Sequence, residues 1–239
     1  MNYAYSLTGN STPLVKRYKI SETMATAGVP VLVNAANGAG LALASATGAA
    51  DAVGVTVGTG TYSTVQGDAE GTVEVIISPD AVYKLRMCNS ATAGTQLVIT
   101  TNSAAETAGT VVTITTGDPA PNSPEMDEGT IVCVAGANVG QTRKLTSTAA
   151  TTATVTVPFL NDIAANDVFI IVPWTPADVA GDNVNLTTTL TEARQDIAVG
   201  TGIAMVVVDI EFDTSSQDNA RRKSYLYGQL DDCIFRDAT

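Results

Sequence analysis

The sequence predicts an all-β protein: an antiparallel β-barrel or sandwich joined to a second small antiparallel β-module, with little helix. Three observations predict it. The 239 residues include 35 threonines with abundant Val, Ala and Gly, and only 15% are charged, a palette suited to half-buried pleated strands. Apolar residues recur in short alternating runs rather than at helical spacing. Gly, Asn, Asp and Pro, the residues that turn a chain, cut those runs at close intervals.

The elements follow in order. Residues 23–50 carry no charge, yet Gly28, Pro30, Asn34, Gly38 and Gly40 punctuate them, so VPVLVN and GLALAS read as strands joined by an Asn37-Gly38 turn rather than as a membrane helix. The glycine-rich run VGVTVGTGTYSTV (53–65) invites a phosphate-loop reading. Its valines alternate as in a strand, however, and residues 61–65 favour extended structure. No Lys-Ser or Lys-Thr pair follows, so the run reads as strand, tight turn and strand. TVEVIIS, VYKLRMC, TQLVITT and TVVTITT are further strands.

The composition breaks at GDPAPNSPEMDEG (117–129), a linker or long loop. Beyond it TIVCVAG, a turn at Ala137–Gly140, QTRKLTS, ATVTVPF and VFIIVPW form a compact unit ending at Trp174, which is assigned to the core. LTEARQDI is a short amphipathic or irregular piece, IAMVVVDIEF a long strand, and ARRKSYLYGQLDDCIFRDAT a tail. The predicted organisation is a β-barrel domain over 1–118, a small β-module over 119–179, and a C-terminal strand and tail over 180–239. That last part packs back on the first domain or on neighbouring subunits.

The chain has no histidine, which removes His-based triads, His-ligated zinc and imidazole acid–base chemistry. There is no G-x-S-x-G motif either, so no catalytic residue is assigned and an enzyme is not expected. Cys88, Cys133 and Cys233 are widely spaced and odd in number, which predicts free thiols rather than a disulfide framework or thiolate metal site; no cofactor is expected. A net charge of −12 argues against nucleic acid as a partner. The absence of a long apolar run and of a basic-then-apolar leader in MNYAYSLTGNSTP argues against a membrane and for synthesis in a cytoplasm.

Two constellations remain. Asp209, Glu211 and Asp213 recur at strand spacing, which makes either a solvated acidic face or a Ca²⁺-binding one; no cation-loop motif accompanies them. The few cations cluster: Lys16, Arg17 and Lys19 around Tyr18, Arg143 beside Lys144, and Arg221, Arg222 and Lys223 before Tyr225 and Tyr227. Arg and Tyr are enriched where proteins bury contacts with one another, so these residues are candidates for docking to an acidic protein surface; the plain reading is a charged edge that protects a sheet from aggregation.

Two passages carry a family resemblance. AGVPVLV through DAVGVTV to VEVIISPDAVYKLRMCNSATAGTQLVITT resembles the β-barrel capsid decoration, or cement, proteins and related virion structural proteins of tailed bacteriophages. MDEGTIVCVAGANVGQTRKLTSTAATTATVTVPFLNDIAANDVFIIVPW is similar to a β-module of phage head and tail proteins, through the turn residues Gly136, Ala137, Asn138, Gly140, Gln141 and Arg143. The resemblance implies a homo-oligomer, by analogy a trimer, on the capsid surface of a virion, with the major capsid protein as partner. Its function would be to stabilise the expanded shell. A tail, connector or fibre-base component and a carbohydrate-binding β-module are the alternatives.

Overall fold

The computed structural model describes residues 1–7, 12–33, 40–43, 52–62, 71–90, 93–114, 128–149, 151–176, 182–195, 203–215 and 223–231. Among these every regular element is a strand, and the strands form three sheets that are antiparallel except at one pair. The all-β class predicted from threonine content and alternation is the observed one.

A first, barrel-like sheet runs in the order β2 (Val15–Lys19), β6 (Thr72–Ile76), β5 (Ala52–Thr56), β3 (Pro30–Val33) and β4 (Leu41–Leu43). It curls until Ile20 bridges Leu41, where the Ser21 N–H donates to the Leu41 carbonyl at 2.9 Å. A second curled sheet runs β8 (Thr100–Thr101), β13 (Val168–Val172), β10 (Thr130–Ala135), β11 (Thr142–Ala149), β12 (Thr152–Val155) and β9 (Val111–Thr113). Its ends meet where Asn102 bridges Ile114. The fully buried Asn102 side chain secures that seam: its Oδ1 accepts from the Thr113 N–H at 2.8 Å, and its Nδ2 donates to the carbonyls of Ala104 (2.6 Å) and Ala164 (2.8 Å).

The third sheet orders β1 (Asn2–Ser6), β7 (Ala81–Cys88), β17 (Tyr225–Leu230), β16 (Ile203–Glu211) and β14 (Asp182–Val184), with β15 (Glu192–Arg194) parallel to β7. Strands from both ends of the chain thus meet on β7. In the same way β8 and β9, from before residue 118, complete the sheet of β10–β13.

Continuous apolar runs mark strands buried on both faces. In β10, Ile131 and Cys133 fill the second barrel while Val132 and Val134 face a core shared with the other sheets. β13 divides likewise, with Phe169 and Ile171 inside and Ile170 and Val172 in the shared core. In β5, Val53 points into the first barrel while Ala52 and Val55 face the shared core. Gly54 sits there at φ 155°, where a Cβ would meet the Ile76 carbonyl oxygen at 2.0 Å. The glycine of the 53–65 run is therefore demanded by strand packing. Trp174 lies in the shared core, 1% exposed.

Three local expectations change. TQLVITT supplies only Thr100–Thr101 as strand, because buried Gln195 acts in place of a neighbouring strand. Its Oε1 accepts from Val98 N–H at 2.7 Å, and its Nε2 donates to the Val98 and Ile171 carbonyls at 3.1 and 2.7 Å. LTEARQDI supplies β15. Thr61 and Tyr62 are not in a strand, and the Tyr62 N–H donates to Thr23 Oγ1 at 3.1 Å. The Asn37-Gly38 turn, residues 117–127, Arg221, Arg222 and Cys233 lie outside the described residues.

Candidate functional site

The turn that carries the second resemblance is a hydrogen-bonded clasp. Gly136 takes φ 122°, and any Cβ there would overlap the Asp167 carboxylate. The chain then folds back through Val139 and Gly140 into β11. Asn138, fully buried, reaches across to the loop of residues 156–162. Its Nδ2 donates to the Asn161 and Asp162 carbonyls at 3.0 and 3.3 Å, and its Oδ1 accepts from Asn161 N–H and Gln141 Nε2 at 2.9 and 3.0 Å. Gln141 Oε1 in turn accepts from Leu160 N–H at 3.0 Å and from Arg143 Nη2 at 2.9 Å. Arg143 completes the clasp by donating from Nε to the Pro158 carbonyl at 2.9 Å and lying 5.1 Å from the Phe159 ring centre. Phe159 stacks edge-on against Phe169 inside the barrel, 5.6 Å between centroids.

The polar groups of the clasp are thus satisfied within the chain, and apolar side chains are displayed around it. Leu160 is 82% exposed, Val157 63% and Val139 51%. A rigid frame presenting apolar groups loses little ordering entropy when it is covered, a favourable starting point for adhesion.

The other candidates lie on different sheets. Lys16, Arg17, Tyr18 and Lys19 form β2, the flank of the first barrel, where Arg17 pairs with Glu74 at 2.9 Å and Lys16 Nζ lies 5.9 Å from the Tyr18 ring centre. Lys144, on β11, meets Glu128 at 3.4 Å across an exposed surface. Tyr225 and Tyr227 lie on β17 of the third sheet, and Lys223 precedes it. The described basic clusters therefore do not converge.

β17 joins a partner that the sequence left unassigned. Lys84 on β7 stands beside Tyr227 and places Nζ 3.9 Å from the Tyr225 ring centre and 5.0 Å from that of Tyr227. Glu211 on β16 accepts from the Tyr227 hydroxyl at 2.8 Å and from Lys84 Nζ at 3.3 Å. The Tyr227 hydroxyl first, and Lys84 second, hold the Glu211 carboxyl below its ordinary range; the Lys84 ammonium is raised by the same neighbours. Cation–aromatic spacing between strands adjacent only in the fold gives no sequence signal.

The acids of β16 face out because of a bulge. Ile203, Met205 and Val207 point inward, the register slips between Val207 and Asp209, and the inward set continues as Ile210 and Phe212. The slip leaves Asp209 and Glu211 exposed. Asp213 lies beyond the strand, where its carboxylate accepts from Ser215 N–H (3.0 Å), Ser215 Oγ (2.6 Å) and Lys223 N–H (3.3 Å). The acidic trio predicted to share one face is therefore divided between a strand face and a loop.

No family model, curated protein or solved structure matches the chain.

Proposed function

We propose that the chain is a virion structural protein, a decoration protein that binds the outer surface of a tailed-phage capsid and stabilises the expanded shell. One observation carries the reading: the turn motif that resembles phage head and tail modules is an internally satisfied clasp displaying Val139, Val157 and Leu160. The partner is the major capsid protein, and the chain acts as a homo-oligomer, a trimer by analogy. Contacts too weak singly are multiplied over many copies by symmetry and avidity. Binding that requires the composite surface of the expanded shell stabilises that state alone.

The carbohydrate-binding alternative has less support, since Lys84 lies over the rings of both Tyr225 and Tyr227 and Glu211 is already bonded to Lys84 and Tyr227. The test is to add purified chain to expanded empty capsids of the phage that encodes it and measure the temperature at which the shells disrupt. A rise that Leu160→Asp abolishes is expected. No rise removes the decoration reading, and labelling confined to one vertex or to the tail in electron micrographs would replace it with the tail or connector alternative.

A further inference from the structure

We infer that the outer edge of β2 is an acceptor site for an extended acidic segment of a partner protein, which adds to the first barrel as a further strand. The inference goes beyond the shell reading and holds or fails independently of it.

The register with β6 decides which backbone groups of β2 are taken. Ile20 N–H donates to the Gly71 carbonyl and Ile77 N–H to the Leu14 carbonyl, so in this antiparallel ladder Leu14, Lys16, Tyr18 and Ile20 turn their backbone groups toward β6. Val15 and Arg17 turn theirs outward. Among the described residues none takes the outward N–H or C=O of either, and both residues are exposed. Among the described residues, the barrel covers this side at the end of the strand, through the parallel bridge of Ile20 to Leu41.

The side chains along this edge state the chemistry of the missing strand. Lys16, Arg17 and Lys19 place three of the chain's twelve Lys and Arg residues within five positions of a protein whose net charge is −12. Tyr18 packs against the barrel core, which fixes the strand's pleat. Arg17, with Val15 on the same face, points outward, and its one acid, Glu74, leaves it 68% exposed. An incoming strand would find two free residues' worth of main-chain partners flanked by cations, with exposed Leu14 and Val15 at one end. Main-chain bonds supply affinity in strand addition and side chains supply selection, here for carboxylates. A nucleic acid would satisfy the charges but not the outward N–H and C=O pairs.

The probe is a capped peptide of about seven residues alternating glutamate with valine, near the usual strand length. It is titrated into the isotope-labelled full chain and followed by backbone amide shifts. Saturable shifts confined to residues 14–20, with slowed hydrogen exchange at Val15 and Arg17, are expected. The double variant Lys16→Glu/Arg17→Glu should weaken binding by about tenfold or more. Val15→Pro removes only an outward donor and keeps every charge, and should weaken it about fivefold with the thermal midpoint near that of the parent.

Equal binding by a peptide methylated on alternate backbone nitrogens would overturn the inference, as would equal binding by a DNA oligonucleotide, shifts centred elsewhere, or no binding at all. Self-association through β2 that excludes the peptide would also overturn it, by making the occupant a second copy. If capsids bind and the peptide does not, only this inference falls. If the peptide binds and capsids do not, only the shell reading falls.

Discussion

The two barrels solve the same closure problem with different chemistry. The second is sealed largely by side-chain amides: buried Asn102 fastens its seam, and buried Asn138 with half-buried Gln141 ties the 156–162 loop to the 136–140 turn. The first is joined at Ile20–Ser21 by a backbone bridge to Leu41, supplemented by half-buried side chains in place of buried amides: Ser21 Oγ donates to the Leu41 carbonyl and the Glu22 carboxylate accepts from Leu43 N–H. Among the described residues it leaves the outward groups of Val15 and Arg17 open. A buried amide meets its requirement only in one geometry, so polar closure specifies a single arrangement of the loops it holds. Backbone closure stops where the strand runs out, and the remaining edge needs charge to keep it from indiscriminate pairing. One barrel thus displays apolar groups on a rigid clasp while the other displays a cationic edge.

The largest losses of stability are expected in the second barrel. Phe169→Ala empties the interior under the clasp and should cost about 3–5 kcal/mol in urea unfolding. Asn138→Ala leaves the Asn161 N–H and carbonyl without their partner and should cost about 2–4 kcal/mol, while removing any one of the three cations of β2 should cost under about 1 kcal/mol. Equal losses at the two places would erase the distinction between polar and backbone closure.

Cys133 sharpens it from inside. Burial first, and the nearby Asp167 carboxylate second, push its thiol from 9.0 up to about 11. A thiol reagent at pH 8 should therefore modify it only after unfolding. Because the folded value lies above the unfolded one, the stability it supports is complete below pH 9 and declines as pH rises toward 11; a flat unfolding curve across that window would contradict the assignment.

The smallest effects are at the surface. Leu160→Asp should leave the unfolding midpoint within about 0.5 kcal/mol of the parent, since its side chain is solvated, so any loss of shell binding would be an interface effect. Tyr227→Phe should change stability by under about 1 kcal/mol and move the Glu211 titration, followed by carboxyl carbon NMR, upward toward its ordinary value. That carboxylate's lowered value supports the fold above its unfolded pKa and loses that support as pH falls, so the wild-type advantage over Tyr227→Phe should vanish in acid.

Much of this protein is legible without coordinates. Alternation in Val53–Val57 and the apolar runs TIVCVA, VFIIV and IAMVVVDIEF mark strands, because period-two patterning is a property of the chain itself. The bulge after Val207 that turns Asp209 and Glu211 outward is not read from it. Asn138, Gln141 and Arg143 stand out in the sequence as a motif, but not as a clasp. Their hydrogen-bonding groups are read from composition, whereas their partners at Pro158, Leu160 and Asn161 are supplied by a loop that only folding brings opposite.

The same holds for Lys84 between the rings of Tyr225 and Tyr227, and for Gln195 standing in for a strand beside Val98. The sequence by itself determined the all-β class and most of the segments that are extended, because alternation and turn residues are local. Only the tertiary structure decided which strands are neighbours, which polar groups are consumed internally and which edge stays open. Strand pairing between residues as distant as Tyr83 and Gly228 is selected by the shared core they bury together, a cooperative quantity that no local window of sequence contains.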